Sequence, residues 1–229
     1  MDRAPGQVLS ARLKERPELE EWIISDWGKA LGQMHQVSSQ LNKEGTQFDR
    51  LSWDEIYAVN DLYDHREKEL IRSFELDRQQ WVKQLDDLPK TDALYGLIHM
   101  DLHQGNVMVS EDKLTCIDFD DSSYHFFLQD IAMPLYYRHL LPNDQGPKSV
   151  ASFCRIFLRG YFDHYSIDPE LFEFLPTFFR IRDNDLRIVL TLWDYPKDDP
   201  LMKELNRRLS EGNPLADYPW AKWAHDYST

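Results

Sequence analysis

Apolar positions recur at three- and four-residue spacing over most of this chain, the period of helices that bury one face. Pro17 opens the first of them. Trp22, Ile23, Trp27, Ala30, Leu31 and Met34 form its stripe through about Leu41, and Glu18, Glu20 and Glu21 sit where a helix N-terminus favours negative charge. Ser52 and Glu55 have capping-box spacing and predict a short helix. A second long helix is expected from His65 to Leu88, with Leu70, Ile71, Phe74, Trp81, Val82 and Leu85 inward and Pro89 as its stop. The same period predicts helices over 126–141, stopped by Pro142-Asn143, over 148–165, from Pro169 to Trp193 with a break near Pro176, and over 201–210. An aromatic tail follows, with Tyr218, Trp220, Trp223 and Tyr227. Residues 1–16 read as irregular, with Pro5-Gly6 as a turn.

The helical period fails between Leu97 and Asp121. There the chain reads Leu-Ile-His-Met-Asp-Leu-His-Gln-Gly-Asn, then a β-like run Val107-Met108-Val109, a polar turn over 110–113, a second β-like run from Leu114 to Ile117, and Asp118-Phe119-Asp120-Asp121. The expected structure is loop, hairpin, loop. A tight hairpin brings Asn106 and Asp118 together at its open end. An amide oxygen with a carboxylate suits a hard cation such as Mg²⁺, which takes few protein ligands when phosphates and water complete its shell. Asp101, held in the loop between apolar runs, is a candidate general base for an attacking hydroxyl. Together these residues point to phosphoryl transfer, where positioning and charge neutralisation provide most of the catalysis.

His99-Met100-Asp101-Leu102-His103-Gln104-Gly105-Asn106, the hairpin and Ile117-Asp118-Phe119-Asp120 resemble the catalytic and metal loops of protein-kinase-like enzymes, in the aminoglycoside phosphotransferase and choline kinase branch. The resemblance implies that Asp101 is the catalytic base and that Asn106 and Asp118 are Mg²⁺ ligands, with Asp120 assisting. It implies ATP as phosphoryl donor and a hydroxyl-bearing acceptor: an aminoglycoside, an amino alcohol, homoserine, or a protein serine or threonine. Gln129-Asp130-Ile131-Ala132 resembles the helix start whose aspartate buttresses the catalytic loop, and Ala30-Leu31-Gly32-Gln33-Met34-His35 resembles a Leu-x-x-Leu-His helix end of this family. His99 and His103 are expected to support the loop through hydrogen bonds. Met100 and Gln104 stand where the family carries Gly and Pro.

The fold class that follows is α+β and predominantly helical: the C-terminal lobe of a protein-kinase-like fold, with a small β-hairpin carrying the two loops. Residues 1–229 are expected to form one unit, with a post-hinge segment over 1–16, the catalytic loop and hairpin over 95–121, and a helical subdomain and tail over 122–229. No G-x-G-x-x-G occurs, no β-rich segment precedes Tyr95, and Lys14 and Lys29 are the only lysines before residue 40. The N-terminal β-lobe with its phosphate-covering loop is therefore expected to be absent from this chain, whether lost, cut off or supplied in trans by a second chain or copy. A kinase-like binding module without catalysis is the alternative.

Composition narrows the partners. A net charge of −14 disfavours nucleic acid and anionic membranes and is compatible with a cationic small substrate. Cys116 and Cys154 are the only cysteines, too few and too far apart for a disulfide framework, so a cytoplasmic location is the default. No leader-like segment and no apolar run of membrane-spanning length is expected. One helix carries an anomaly. Phe178, Phe179, Leu186, Val189, Leu190 and Trp193 mark one face, and Arg182 falls on it. Either Arg182 pairs with Asp185 internally, or Asp183 or Asp185, with Arg182, lines an acceptor pocket. Trp27, Trp53, Trp81 and Trp193 are read as core rather than as a cage for a quaternary amine.

Overall fold

The structure is a computed structural model, which describes residues 4–58, 64–111, 113–140 and 150–228. The expected stop at Pro142-Asn143 and the helix start at Lys148 lie outside the described residues. Residues 4–16 are not irregular. Strand β1 (Gln7–Val8) follows the Pro5-Gly6 turn and leads into helix α1 (Leu9–Glu15). β1 adds to the edge of the hairpin formed by β3 (Val107–Val109) and β4 (Leu114–Cys116), giving an antiparallel sheet in the order β1-β3-β4. A two-residue strand has no periodicity of its own, and only its distant partner makes it one.

The long first helix, α2 (Glu20–Lys43), is preceded by a 3₁₀ turn at Pro17–Leu19. His35 therefore lies well inside this helix rather than at its end. α2 packs along α6 (Val150–Phe162), and the two backbones nearly touch. A Cβ on Gly28 would lie 2.0 Å from the Phe157 carbonyl oxygen, and one on Gly160 would lie 2.1 Å from that of Ser25. Glycine on each side of this crossing permits the approach, a spacing signal that the apolar stripe alone does not reveal.

Short α3 (Trp53–Ala58) begins at Ser52, whose backbone N–H and hydroxyl both donate to Glu55. α4 (His65–Val82) has a complete capping box between Asp64 and Glu67, then tightens into a 3₁₀ turn at Lys83–Asp87, short of the expected Leu88. Leu70 faces solvent, not the core, while Ile71, Val82 and Leu85 are buried. α4 packs on α7 (Leu175–Leu192). Pro176 does not break α7. It occupies the first turn, where a missing N–H has no intrahelical partner. Trp193, expected on the buried face, is 73% exposed just beyond the helix end. Helix α8 (Pro200–Glu211), capped by Asp199, and α9 (Trp220–Tyr227) close the chain.

The element least visible in the sequence lies at the centre. β2 (Tyr95–Ile98) pairs antiparallel with β5 (Ser123–Phe126), which the helical pattern had absorbed in part at Phe126. β5 runs directly into α5 (Phe127–Arg138), in which every residue except Tyr137 is buried. A helix buried on nearly all sides is a core helix, and α5 carries Asp130 in its first turn beneath the loop that follows β2. The tryptophans are dispersed. Trp27 meets Phe153 and Phe157 edge-on, Trp53 meets His125 and Phe126, and Trp81 lies under Arg180. No helix of the described residues is long and apolar enough to cross a membrane.

Candidate active site

The site is built on the buried carboxylate of Asp130. Its Oδ2 accepts the backbone N–H of His99 at 2.8 Å, and its Oδ1 accepts that of Met100 at 2.7 Å. His35, on α2, completes the support. Burial holds its pKa below the ordinary value although Asp130 pulls the other way. A neutral ring beside a carboxylate must present its proton there, so Nε2 faces Asp130 at 3.4 Å and Nδ1 accepts from the Tyr161 hydroxyl at 2.9 Å. Three helices thus anchor two successive amides of one loop.

That anchoring holds Met100 at φ +74°, the left-handed region. An L-residue there costs roughly 1–2 kcal/mol. Met100→Val is expected to lower stability by about 1–2 kcal/mol in urea unfolding, since a branched Cβ is least tolerated at positive φ. Met100→Gly is expected to stay within about 1 kcal/mol of the parent, relief of strain offsetting lost contacts and added chain entropy. Equal losses in the two variants would show that contacts, not backbone conformation, govern this position.

Asp101 follows at once. Its Oδ1 accepts Nη2 of Arg182 at 2.7 Å, and its Oδ2 lies 3.6 Å from Nε2 of His103. Its backbone carbonyl accepts Nδ2 of Asn106 at 2.9 Å and the N–H of His103 at 2.8 Å. Asn106 is therefore oriented through its NH₂, which leaves Oδ1 on the opposite side of the planar amide. The Asn106 carbonyl accepts the Ile117 N–H at 3.0 Å, tying the loop over 99–106 to the end of β4. From the other direction, Nε2 of His99 donates to the Ile117 carbonyl at 2.9 Å, and the His99 ring lies 4.5 Å from Phe119. His103 Nδ1 accepts the Gly105 N–H at 2.9 Å, so its proton resides on Nε2, facing Asp101. Asp118 is exposed at φ +66°, and Asp120 is exposed with its carbonyl accepting from Arg50 at 2.6 Å.

A cleft of about 600 Å³ opens beside Asp101, between α3, α4, α7 and residues 120–123. Asp185 and Arg182 both line it, but they do not form the internal pair that their spacing allowed. Asp185 accepts from Arg78 of α4 at 3.0 Å, and Arg182 turns to Asp101 and to the Tyr137 hydroxyl. Asp183 is not in the cleft. Helix geometry points it the other way, where it is fully buried and accepts from Tyr136 at 2.7 Å and Asn213 at 2.9 Å. Arg50, Arg78 and Tyr137 belong to this cleft or to its wall, and no motif marks them. Arg182 alone carried a signal, a cation on an apolar face. A second cleft of about 440 Å³, apolar and lined by Met34, Val37, Leu97 and Phe119, lies between α2 and the hairpin.

Among the described residues, no group of three or more His, Cys, Asp or Glu gathers as a metal shell. The donor types at the hairpin's open end, an amide oxygen on Asn106 and a carboxylate on Asp118 with Asp120 nearby in sequence, are those of a hard-cation site that phosphate and water complete.

Comparison with known proteins adds the following. The profile of a phosphotransferase enzyme family, APH, matches residues 1–170. The amicoumacin kinase of Bacillus subtilis (strain 168) is 29% identical over 184 residues, 79% of this chain and 53% of that protein. An amicoumacin kinase solved with AMP-PNP, Ca²⁺ and Ami superposes with a TM-score of 0.74 at 22% identity, over 96% of this chain and 66% of its own. A microcompartment-associated aminopropanol kinase gives 0.58 at 19% identity, over 82% and 62%. At these identities the superpositions establish the fold, a predominantly helical, protein-kinase-like one. The chain spans about half the length of the curated relative it matches.

Proposed function

This chain belongs to the phosphotransferase enzyme family, and from that premise we propose that it carries the acceptor-side half of an ATP-dependent small-molecule kinase. The observation that carries the reading is the placement of Asp101. It lines the cleft with one carboxylate oxygen occupied by Arg182, on a loop that Asn106 ties to Ile117, the residue before Asp118. The acceptor hydroxyl attacks the γ-phosphorus of ATP, the bond to the ADP oxygen breaks, and the hydroxyl proton passes to Oδ2 of Asp101. Asn106 and Asp118, assisted by Asp120, would hold Mg²⁺, which supplies neutralisation of phosphate charge when bound. Their task in this chain is to keep these donors at a fixed distance from Asp101, which the hydrogen bonds of Asn106 to Asp101 and Ile117 accomplish.

The cleft carries six carboxylates, from Asp49, Glu55, Asp101, Asp120, Asp121 and Asp185, against Arg50, Arg78 and Arg182. That balance suits an acceptor bearing an amine as well as a hydroxyl. Amicoumacin and an aminopropanol, named for similar proteins, are the first acceptors to test. The experiment follows transfer of labelled γ-phosphate from ATP with Mg²⁺ to each, with an N-terminal β-lobe supplied in trans or restored to the chain. Transfer to an amine-bearing hydroxyl compound is expected. Binding of acceptor without transfer under any condition would instead establish a binding module.

A further inference from the structure

We propose that Arg182 is the positioning residue for Asp101, locked in place by Tyr137, so that Oδ1 is held and Oδ2 alone receives the acceptor proton; this rests on the phosphotransferase reading above. A lone carboxylate on a short side chain rotates broadly about its last torsion. Asp101 is less free than that. Arg182 Nη2 donates to Oδ1 at 2.7 Å, and His103 Nε2–H faces Oδ2 at 3.6 Å, too far for a direct bond but near enough to bias its orientation.

Arg182 is itself constrained. Its Nε donates to the Tyr137 hydroxyl at 3.0 Å, its Nη2 donates to the same oxygen, and its guanidinium lies 5.2 Å from the Tyr137 ring centre. The opposite edge of the arrangement closes on His103, whose ring meets Tyr137 edge-on at 4.9 Å. Asp101, Arg182, Tyr137 and His103 thus form a ring of contacts drawn from the catalytic loop, α5 and α7. Tyr137 is the one residue of α5 not buried, and this ring is what it faces. Burial works against the charge of Arg182, but Tyr137, Asp101 and Asp185 together hold its pKa above the ordinary value.

The chemistry follows from the choice of arginine. A guanidinium donates and cannot accept the proton in question, so it holds one oxygen without competing with the base. Asp185, the other carboxylate within reach, is engaged by Arg78 at 3.0 Å. Arg182 is therefore directed to Asp101. The bond from Nη2 to Oδ1 persists while the acceptor proton forms its new bond to Oδ2.

The test uses Arg182→Gln, Arg182→Lys, Arg182→Ala and Tyr137→Phe with phosphate transfer to the best acceptor found. Misplacing a base by about 1 Å can cost up to about 100-fold in rate. Arg182→Gln is expected to lower kcat about 10- to 100-fold, Tyr137→Phe by less, and both to leave KM for Mg²⁺-ATP within about twofold. Arg182→Lys should recover only part of the rate, and free guanidinium should partly restore Arg182→Ala. A second readout does not need turnover: in ¹⁵N spectra of the chain, the Arg182 Nη–H signals should exchange slowly and lose that protection in Asp101→Ala, which removes the acceptor oxygen. Unprotected Arg182 signals in the parent, or an unchanged kcat in Arg182→Gln, would overturn the proposal. A parent chain with protected signals but no transfer to any acceptor sinks the phosphotransferase reading, not the pairing.

Discussion

Replacing Asp101 by Asn is expected to abolish measurable phosphate transfer while leaving the unfolding midpoint nearly unchanged. General-base catalysis contributes about 10²–10⁴ in rate, and a carboxamide cannot take the proton. Asn is the informative variant because its carbonyl oxygen can still accept from Arg182 Nη2, which bonds Oδ1 of Asp101 at 2.7 Å. Ala would strip Arg182 of that partner, and an arginine less than one-fifth exposed then bears a desolvation cost. A loss of stability in Asp101→Ala that Asp101→Asn does not share would therefore measure the pair, and the shared loss of turnover would measure the base. Undiminished transfer by Asp101→Asn, followed with labelled ATP and an excess of acceptor, would remove Asp101 from that role.

The second large effect is expected at Asp130, which touches no substrate. Asp130→Ala leaves the N–H groups of His99 and Met100 and the Nε2–H of His35 without their acceptor in the core. Each orphaned buried donor costs about 1–3 kcal/mol. The sum over the three donors, about 3–9 kcal/mol, is a large part of the 5–15 kcal/mol by which a domain of this size is stable. The loop would also relax, since Asp130 is what holds Met100 at its positive φ. Urea unfolding checks the first effect, and hydrogen exchange at the His99 and Met100 amides checks the second. A stability loss under about 1 kcal/mol with both amides still protected would show that the loop is held by other contacts. Asp130→Asn should fall between, because it keeps one acceptor oxygen but turns an NH₂ toward a second donor.

Most of the helices could be read from the chain because a buried helical face writes its period into consecutive residues. Trp27, Leu31, Ile71, Val82, Phe178 and Phe179 are buried where their spacing places them. The errors cluster where that local signal ends. Leu70 and Trp193 fit their stripes but sit at the edges of packing, where a neighbouring element decides exposure. β1 and β5 are strands only because Val109 and Ile98 lie opposite them.

The candidate site divides in the same way. Asp101, Asn106, Asp118 and Asp120 come from one loop–hairpin–loop stretch whose residue types and intervals point to the chemistry proposed for them, so sequence alone determined that these groups share one segment of the chain. The resemblance of Gln129-Asp130-Ile131-Ala132 to the family's helix start also implied a place for Asp130 beneath the loop. What the tertiary structure alone decided is how those groups are held and what faces them. Arg182 lies 81 residues from Asp101, and Arg78 lies 107 residues from Asp185. Nothing in local spacing selects Asp101 over Asp185 as the partner of Arg182, or turns Asp183 inward to Tyr136 and Asn213. Ion pairs of this kind form only after α4, α5 and α7 have packed, because direction and burial, not sequence distance, decide which carboxylate a buried guanidinium can reach.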